Sequence, residues 1–207
     1  MGHLLSFMGT DTIPAIINAK KYYLAGGPVG VSVPATEHAV MCANGKETEV
    51  ETFRRLITEI YPTGIISIVS DTWDLWKVLT EYVVELKEDI LKRQPNDMGL
   101  AKVVFRPDSG DPADIICGVD LPYCNATGAP EEKGAVECLW DVFGGTINEK
   151  GYKVLDPMVG LIHGDSITLD RAEEICKRLE AKGFASTNVV FGIGSYTYQY
   201  NTRATFG

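Results

Sequence analysis

Five short runs rich in β-branched residues punctuate the chain, and each is bounded by turn-forming residues. The runs cover residues 29–33, 65–69, 102–105, 159–162 and 188–191. Continuous apolar runs of this length are typical of strands that are buried on both faces of a parallel sheet. The pattern therefore predicts five parallel strands.

Apolar residues recur with helical spacing between these runs. The predicted helices cover about 12–23, 47–60, 72–93, 132–143 and 168–182. In the second of them, Phe53, Leu56 and Ile60 fall on one face, whereas charged residues take the opposite face. A helix with such a stripe packs against a sheet, so the strands and helices are expected to form layers.

The alternation of strands and helices predicts an α/β protein, and the number of units predicts an incomplete one. A complete β/α barrel has eight strand-helix units in about 250 residues. This chain has 207 residues and five predicted strands. We expect residues 1–207 to form a single partial β/α-barrel segment that is truncated at both ends. The stretch 118–157, which contains Gly, Pro and Cys residues, is expected to be an insertion within that barrel.

A small cluster of polar or glycine residues follows each predicted strand. The clusters cover 34–38, 70–71, 106–110, 163–165 and 192–195. A single cluster would indicate only a turn. The carboxyl ends of parallel strands meet at one edge of a sheet, which is where barrels and doubly wound sheets place their active sites. The five clusters together therefore predict one shared site.

The string Arg-Pro-Asp-Ser-Gly at 106–110 carries the most chemical information. Arg106 offers a planar fork of donors, and Asp108 offers a carboxylate suited to sugar hydroxyls. Gly110 allows the backbone to approach a ligand closely. Together with Ser109, these residues indicate a site for a phosphorylated ribose.

Two further clusters suit the same ligand. Gly164 and Asp165 place a second carboxylate beside a glycine. Gly194 and Ser195 follow a predicted strand as a possible phosphate cradle of backbone N–H groups, with Arg203 nearby in sequence to neutralise charge. A histidine just past a strand is more often structural than catalytic, so the residues alone leave the role of His38 open.

Composition and charge narrow the function classes. Hydrophobic residues make up 45% and charged residues 23%, which excludes a disordered or fibrous chain. The formal net charge of −9 argues against a nucleic-acid-binding or anionic-membrane surface. The five cysteines form no Cys-x-x-Cys pair, so neither a disulfide framework nor a zinc site is indicated. With no apolar run of about 18 residues and no signal-peptide pattern, we expect a cytoplasmic protein.

Eight short motifs occur in the order and approximate spacing of one enzyme family. They are GTDT at 9–12, KKYY at 20–23, SVPATEH at 32–38, VSD at 69–71, RPDSGDP at 106–112, GYKVL at 151–155, HGD at 163–165 and FGIGS at 191–195. With this combination the chain resembles the nicotinamide phosphoribosyltransferases, which are type II phosphoribosyltransferases. The resemblance covers essentially the whole chain.

The resemblance implies a fold, a reaction and partners. The implied fold is an irregular β/α barrel, of which this chain holds a part, in a homodimer with shared active sites. The implied reaction converts nicotinamide and phosphoribosyl pyrophosphate into nicotinamide mononucleotide and pyrophosphate, a step of NAD salvage. The implied cofactors are Mg²⁺ and ATP, with ATP acting as a phosphoryl donor.

The resemblance also implies roles for individual residues. Asp11 would accept a hydrogen bond from the carboxamide of nicotinamide, and Arg106 would lie at the same pocket. An ionised Asp11 attracts an amide but repels the carboxylate of nicotinate, so this side chain would select between the two bases. His38 would be phosphorylated by ATP, and Asp71 would orient it.

The remaining implied contacts are with the phosphoribosyl group. Asp108 and Asp165, with Gly164, would hold the ribose hydroxyls. The residues implied to hold the 5′-phosphate are Gly194, Ser195 and Arg203. In the family, aromatic residues that stack on the nicotinamide ring and basic residues that contact pyrophosphate lie outside the segment that this chain covers.

Three alternatives remain open at the level of the sequence. One is a nicotinate or quinolinate phosphoribosyltransferase of the same barrel type, which Asp11 argues against. Another is a catalytically silent fragment that binds nucleotide or dimerises with a full-length partner. The third is a generic sugar-phosphate barrel outside this family.

Overall fold

Four of the five predicted strands form one parallel sheet. The computed structural model describes residues 9–27, 29–119, 127–164 and 166–194. The strands in this part of the chain are β1 (Gly64–Val69), β2 (Ala101–Arg106), β3 (Gly145–Ile147), β4 (Lys153–Leu155), β5 (Val159–His163) and β6 (Val189–Phe191). The parallel sheet has the order β1-β2-β5-β6. The predicted α/β class with a parallel sheet is confirmed.

Helices occupy the regions that the sequence assigned to them and two more, His38–Cys42 and Pro112–Cys117, that it did not assign. They are α1 (Ile13–Tyr23), α2 (His38–Cys42), α3 (Glu49–Arg55), α4 (Leu75–Lys77), α5 (Val83–Glu85), α6 (Lys87–Leu91), α7 (Pro112–Cys117), α8 (Pro130–Lys133), α9 (Ala135–Phe143) and α10 (Leu169–Ala181). The segments Leu56–Ile60 and Val78–Tyr82 continue α3 and α4 as π-helix. The five predicted helical regions are therefore confirmed, two of them with a wider local winding than the sequence indicated.

The core lies where helices pack against the parallel sheet. Phe105 of β2 and Phe53 of α3 are both about 1% exposed, and their rings stack with centroids 6.4 Å apart. This contact places the apolar stripe predicted for α3 on the sheet. Ile60, the last residue of that stripe, is 46% exposed because it lies at the end of the helical segment.

The prediction of a strand at 29–33 is wrong. The chain divides into two compact units, 1–34 and 35–207, and residues 29–34 of the first unit have no strand pairing. Val31 is 59% exposed and donates its N–H to the carbonyl of Thr10 at 3.1 Å. A β-branched run forms a strand only when a partner strand satisfies its backbone, and Pro34 has no N–H to offer a partner. In the second unit, Ala35 makes an isolated parallel bridge to Ser67 of β1.

The stretch 118–157 contains local structure of its own. Its described part holds α8, α9 and an antiparallel hairpin in which β3 pairs with β4. Residues 120–126 lie outside the described part of the chain. In the described ranges, no helix has the length and apolar character needed to cross a bilayer. The cysteines described there, Cys42, Cys117, Cys138 and Cys176, are free thiols.

Glu49 is a buried acid at the start of α3. Its side chain belongs to a residue that is 1% exposed, and its Oε1 atom accepts no described hydrogen bond. Burial, reinforced by the negative charge of Asp74 and opposed by the Tyr82 hydrogen bond, raises the pKa of Glu49 from 4.5 to about 7. The folded protein therefore favours the protonated carboxyl group.

The native protein should lose stability as the pH rises because Glu49 ionises, and we expect Glu49→Gln to lack this pH dependence. Because the folded pKa is raised, Glu49 contributes most to stability below its unfolded pKa, and this contribution is lost as the pH rises toward 7. Relative to Glu49→Gln, native stability should fall by about 2 to 3 kcal/mol between pH 4.5 and pH 8. Urea unfolding across this range measures the difference. Glu59→Gln, at an exposed glutamate, is the control and should keep the fall in stability that depends on Glu49.

Candidate functional site

The polar clusters of the second unit gather at the carboxyl end of the parallel sheet. Ser70 and Asp71 follow β1, Arg106 is the last residue of β2, and His163 is the last residue of β5. Ser70 N–H donates to the Arg106 carbonyl at 3.0 Å, so the ends of β1 and β2 remain paired beyond the strands. Parallel pairing thus brings the residues after β1 and β2 side by side.

His38 lies at this edge with two carboxylates beside its ring. The His38 Nε2 atom is 3.9 Å from Asp71 Oδ1 and 3.9 Å from Asp108 Oδ2. Both separations exceed hydrogen-bond distance, so these are ion-pair contacts when the ring is protonated. The Nδ1 atom is 3.1 Å from the hydroxyl of Thr72. The side chain of His38 is 46% exposed, which leaves the ring accessible to a ligand.

Asp71 joins the three chain segments of the site. Its Oδ2 atom accepts the backbone N–H of Asp108 at 2.9 Å and the hydroxyl of Ser109 at 2.5 Å. Its Oδ1 atom is buried, has no described hydrogen-bond donor, and is the oxygen nearest the His38 ring. Asp71 therefore fixes the loop after β2 with one oxygen and presents the other to His38.

Arg106 is held by the loop that leads to His38. Its guanidinium donates to the carbonyl of Thr36 at 2.7 Å and forms an ion pair with Glu37 at 3.2 Å. Thr36 is itself fastened to β1, because its N–H donates to Ser67 and its hydroxyl accepts the N–H of Val69, both at 3.0 Å. The loop before α2 is thus hydrogen-bonded to the edge of the sheet. It holds the guanidinium of Arg106 and leads directly into His38.

Glycines allow close backbone approach around the carboxylates. A Cβ atom added at Gly164 would lie 3.6 Å from Asp108 Oδ1, which places this glycine beside the carboxylate. A Cβ atom added at Gly192 would lie 2.7 Å from the Cα atom of Gly164, so a side chain there would displace backbone. Gly110 has a φ of +84° after the Asp108 loop, a conformation that favours glycine.

The structure thus brings together a subset of the residues proposed from the sequence. His38, Asp71, Asp108 and Ser109 are joined by the contacts above, and Gly164 lies beside Asp108. Gly110 and Arg106 lie at the two ends of the loop that contains Asp108.

The structure does not place the other residues proposed from the sequence in this group. Asp11 is exposed and belongs to the first unit. Gly194 is exposed three residues after β6, and a Cβ atom added there would meet no described atom within 4 Å. Asp165, Ser195 and Arg203, which the sequence also assigned to the site, lie outside the described residues.

Sequence reasoning missed Thr72, Thr36 and Glu37. Thr72 directly follows Asp71 in the Val-Ser-Asp-Thr string, and its hydroxyl provides the hydrogen bond to His38. Asp71, which the sequence assigned to orienting that ring, lies farther from it. Thr36 and Glu37 stand within the quoted 32–38 motif, but their contacts with Arg106 span about 70 positions of sequence. The motif therefore indicated that these residues lie near the site, but it did not indicate that they contact Arg106.

The cluster carries more negative than positive charge. Glu37, Asp71 and Asp108 face one guanidinium, that of Arg106, and the imidazole of His38. Within the described ranges, no group of three or more His, Cys, Asp or Glu residues is arranged to hold a metal ion. Mg²⁺ is often held by one or two carboxylates and the phosphates of a substrate, without an all-protein cage. The carboxylates of Asp71 and Asp108 are hard oxygen donors of the kind that Mg²⁺ prefers, so these two residues could hold such a cation.

Comparison with known proteins finds relatives along the whole chain. The chain is 66% identical over 207 residues to the nicotinamide phosphoribosyltransferase of Acinetobacter baylyi, covering 100% of this chain and 40% of the relative. The protein of the same name from Mycoplasma pneumoniae is 41% identical, over 99% of this chain and 41% of its own length. The one from Xanthomonas campestris pv. campestris is 35% identical, over 98% of this chain and 39% of its own length. The chain therefore spans about 40% of the length of these curated relatives.

A family model gives the same placement. The model of the nicotinate phosphoribosyltransferase (NAPRTase) family matches residues 1–207. Since the match runs over the full chain and the relatives above agree with it, the chain belongs to the nicotinate phosphoribosyltransferase family.

Proposed function

We propose that the protein to which this chain belongs transfers phosphoribosyl from phosphoribosyl pyrophosphate to nicotinamide. The observation that carries the proposal is the meeting of His38, Asp71 and Asp108 at the carboxyl edge of the sheet, with 3.9 Å between the ring and each carboxylate. The choice of base is supported by relatives that are named nicotinamide phosphoribosyltransferase and are up to 66% identical to this chain. The products are nicotinamide mononucleotide and pyrophosphate, and the activity is a step of NAD salvage.

The reaction exchanges one bond at the anomeric carbon. The bond between C1′ and the pyrophosphate oxygen breaks, and pyrophosphate leaves with the electron pair. A new bond forms between C1′ and the pyridine nitrogen of nicotinamide. Positive charge builds on the ribose during this exchange, so positioning the base and stabilising the leaving group are the main contributions of the enzyme.

Asp108 is proposed to hold the ribose hydroxyls. Its carboxylate is 30% exposed, and its backbone is fixed by the hydrogen bond to Asp71. A carboxylate accepts hydrogen bonds from two neighbouring hydroxyls, and Gly164 leaves room for a ligand beside it. In the same proposal Gly164 and Asp165 complete the ribose site, while Gly194, Ser195 and Arg203 bind the 5′-phosphate.

His38 is proposed to couple ATP to the reaction. A ring nitrogen forms a bond to the γ-phosphorus of ATP as the bond to the bridging oxygen breaks, and ADP leaves. Water later hydrolyses the phosphohistidine to phosphate and restores the ring. The exposure of His38 permits such a transfer, and the neighbouring carboxylates stabilise the ring when it carries a proton.

Mg²⁺ is the proposed metal cofactor. Bound to the phosphates of the substrate, it would neutralise charge on the pyrophosphate as this group leaves. The carboxylate surplus of Glu37, Asp71 and Asp108 provides an attractive field for that cation. A homodimer with shared active sites is part of the same proposal and rests on the family resemblance.

The full-length protein should turn over nicotinamide in preference to nicotinate. The family is named for nicotinate, whereas the three relatives are named for nicotinamide, so turnover of the two bases should be compared. Formation of each mononucleotide from phosphoribosyl pyrophosphate should be followed with both bases. Preferential turnover of nicotinate would contradict the proposed function and support the alternative transferase.

Asp11→Asn is expected to weaken the discrimination between the two bases. The native carboxylate repels the carboxylate of nicotinate, and placing like charges together costs several kcal/mol. Loss of this repulsion should lower the ratio of kcat/KM for nicotinamide to that for nicotinate by about tenfold or more. Lys20→Gln, at an exposed position of the same unit, is a control that should leave the ratio unchanged.

A further inference from the structure

The ring of His38 has one described hydrogen-bond partner, the hydroxyl of Thr72. Nδ1 and Oγ1 are 3.1 Å apart. The other polar contacts described for the ring are with Asp71 and Asp108, both at 3.9 Å from Nε2. An exposed ring that had only those two distant charges beside it would be free to rotate. The hydroxyl therefore fixes the orientation in which Nε2 faces the carboxylates.

The same hydrogen bond bears on the tautomer of the neutral ring. The hydroxyl of Thr72 can accept the proton of Nδ1–H, which leaves the lone pair of Nε2 free to attack the γ-phosphorus. Asp71 and Asp108 then stabilise the positive charge that the ring gains in this attack. An apolar side chain at position 72 would leave Nδ1–H without a partner, and the two carboxylates would favour a proton on Nε2 instead, which blocks attack from that atom.

Thr72 is itself held on a loop that is fixed at both ends. At one end, Ser70 N–H donates to the Arg106 carbonyl at 3.0 Å. At the other, the side chain of Asp74 caps α4 by accepting the N–H of Lys77 at 3.1 Å. Asp71 adds its two hydrogen bonds to the loop after β2. A hydroxyl on this loop has a defined position relative to His38.

We propose that Thr72 is a positioning residue that sets the orientation and tautomer of His38 for reaction with the phosphoryl donor. The proposal rests on the proposed function, in which His38 is the phosphorylated residue. Thr72 contacts the reacting side chain and acts through it. The described hydrogen bond of Thr72 is with His38, so Thr72 can act without contacting a substrate.

The first test compares Thr72→Val and Thr72→Ser in the full-length protein. Valine keeps the shape of threonine but removes the hydroxyl, whereas serine retains the hydroxyl. We expect Thr72→Val to lower the ratio of ATP-stimulated to unstimulated turnover by about fivefold, in keeping with the loss of one hydrogen bond. Thr72→Ser should keep this ratio within about twofold of the native value. A ratio lowered equally by both substitutions would overturn the proposal.

Thr80→Val provides the matched control. Thr80 is also partly buried, and its hydroxyl also makes one described hydrogen bond, to the Trp76 carbonyl at 2.7 Å. The two substitutions therefore remove the same groups from similar surroundings, but only Thr72 contacts His38. We expect Thr80→Val to leave the ATP ratio unchanged. An equal loss from both valine variants would assign the effect to general loosening of the fold and overturn the proposal.

A second measurement separates this proposal from the proposed function. Nitrogen-15 NMR of histidine-labelled protein distinguishes the two neutral tautomers, and His38→Gln identifies the His38 signals. We expect Nδ1-protonated His38 in the native protein and in Thr72→Ser, and a shift toward Nε2-protonated His38 in Thr72→Val. Identical spectra for all three would overturn the role of Thr72. Native protein without ATP stimulation would instead reject the phosphohistidine, while the spectra would still decide the role of Thr72.

Discussion

His38→Ala is expected to abolish the stimulation of turnover by ATP in the full-length protein. The imidazole is the group proposed to accept the phosphoryl group, and alanine offers no nucleophile in its place. The ratio of ATP-stimulated to unstimulated turnover should therefore fall to about one. Nicotinamide mononucleotide formation with and without ATP measures this ratio, and the release of ADP reports the phosphoryl transfer directly.

The expected loss should be chemical and not structural. The side chain of His38 is 46% exposed, so its truncation removes little buried surface, and the unfolding free energy should change by less than about 0.5 kcal/mol. Val40→Ala is a suitable control because Val40 lies on the same short helix, α2, and is 47% exposed. Retention of full ATP stimulation by His38→Ala would reject the phosphohistidine. If Val40→Ala also lost the stimulation by ATP, the effect would have to be assigned to disturbance of α2 and not to the imidazole of His38.

Two strands of the sheet could be predicted because they are buried on both faces. All but one residue of β1 and all but one residue of β5 are buried, whereas the buried residues of β2, Val103 and Phe105, alternate with half-buried ones. Burial on both faces requires a nearly continuous apolar run, so the composition of these segments carries the information. The helix between β1 and β2 was predicted from its spacing in the same way.

The failed strand at 29–33 shows the limit of that signal. Its valines have the right propensity, but a strand also needs a neighbour that accepts and donates backbone hydrogen bonds. The contacts with β1 are made by Ala35 and Thr36, which lie beyond the predicted run. Pairing of this kind depends on where the rest of the chain lies, and local composition does not record it.

The sequence could predict where the site lies in the sheet, but it could not predict which side chains contact each other there. The clusters after β1 and β2 were expected to meet because parallel strands share an edge, and Asp71 does contact the loop at Asp108 and Ser109. The hydrogen bond from Thr72 to His38 joins residues 34 positions apart. Which hydroxyl reaches a ring depends on loop geometry at the level of an ångström, which residue types alone do not specify.

Arg93 occupies a buried position that the sequence did not mark. Its residue is 6% exposed, and its guanidinium donates to the carbonyl oxygens of Ile57, of Tyr61 at 2.7 Å and of Gly64 at 2.9 Å. These carbonyls lie between the π-helical end of the α3 segment and the start of β1, where a helix leaves carbonyl groups unpaired. Burial lowers the pKa of Arg93. The side chain therefore serves as a buried cap that joins a helix end to the sheet.

Arg93→Met should destabilise the protein by about 3 kcal/mol or more. Methionine retains much of the apolar stem but leaves these buried carbonyls without their donor, at a cost of about 1 to 3 kcal/mol for each unsatisfied group. Urea unfolding at neutral pH measures the change. Arg55→Met is the matched control, because Arg55 is an exposed arginine of α3 whose described ion pair, with Glu59, is 3.9 Å long. Surface pairs of this kind contribute little, so Arg55→Met should cost less than about 1 kcal/mol. Equal costs for the two substitutions would mean that the Arg93 hydrogen bonds do not stabilise the helix end, because both variants lose the same charge and only one loses the buried donors.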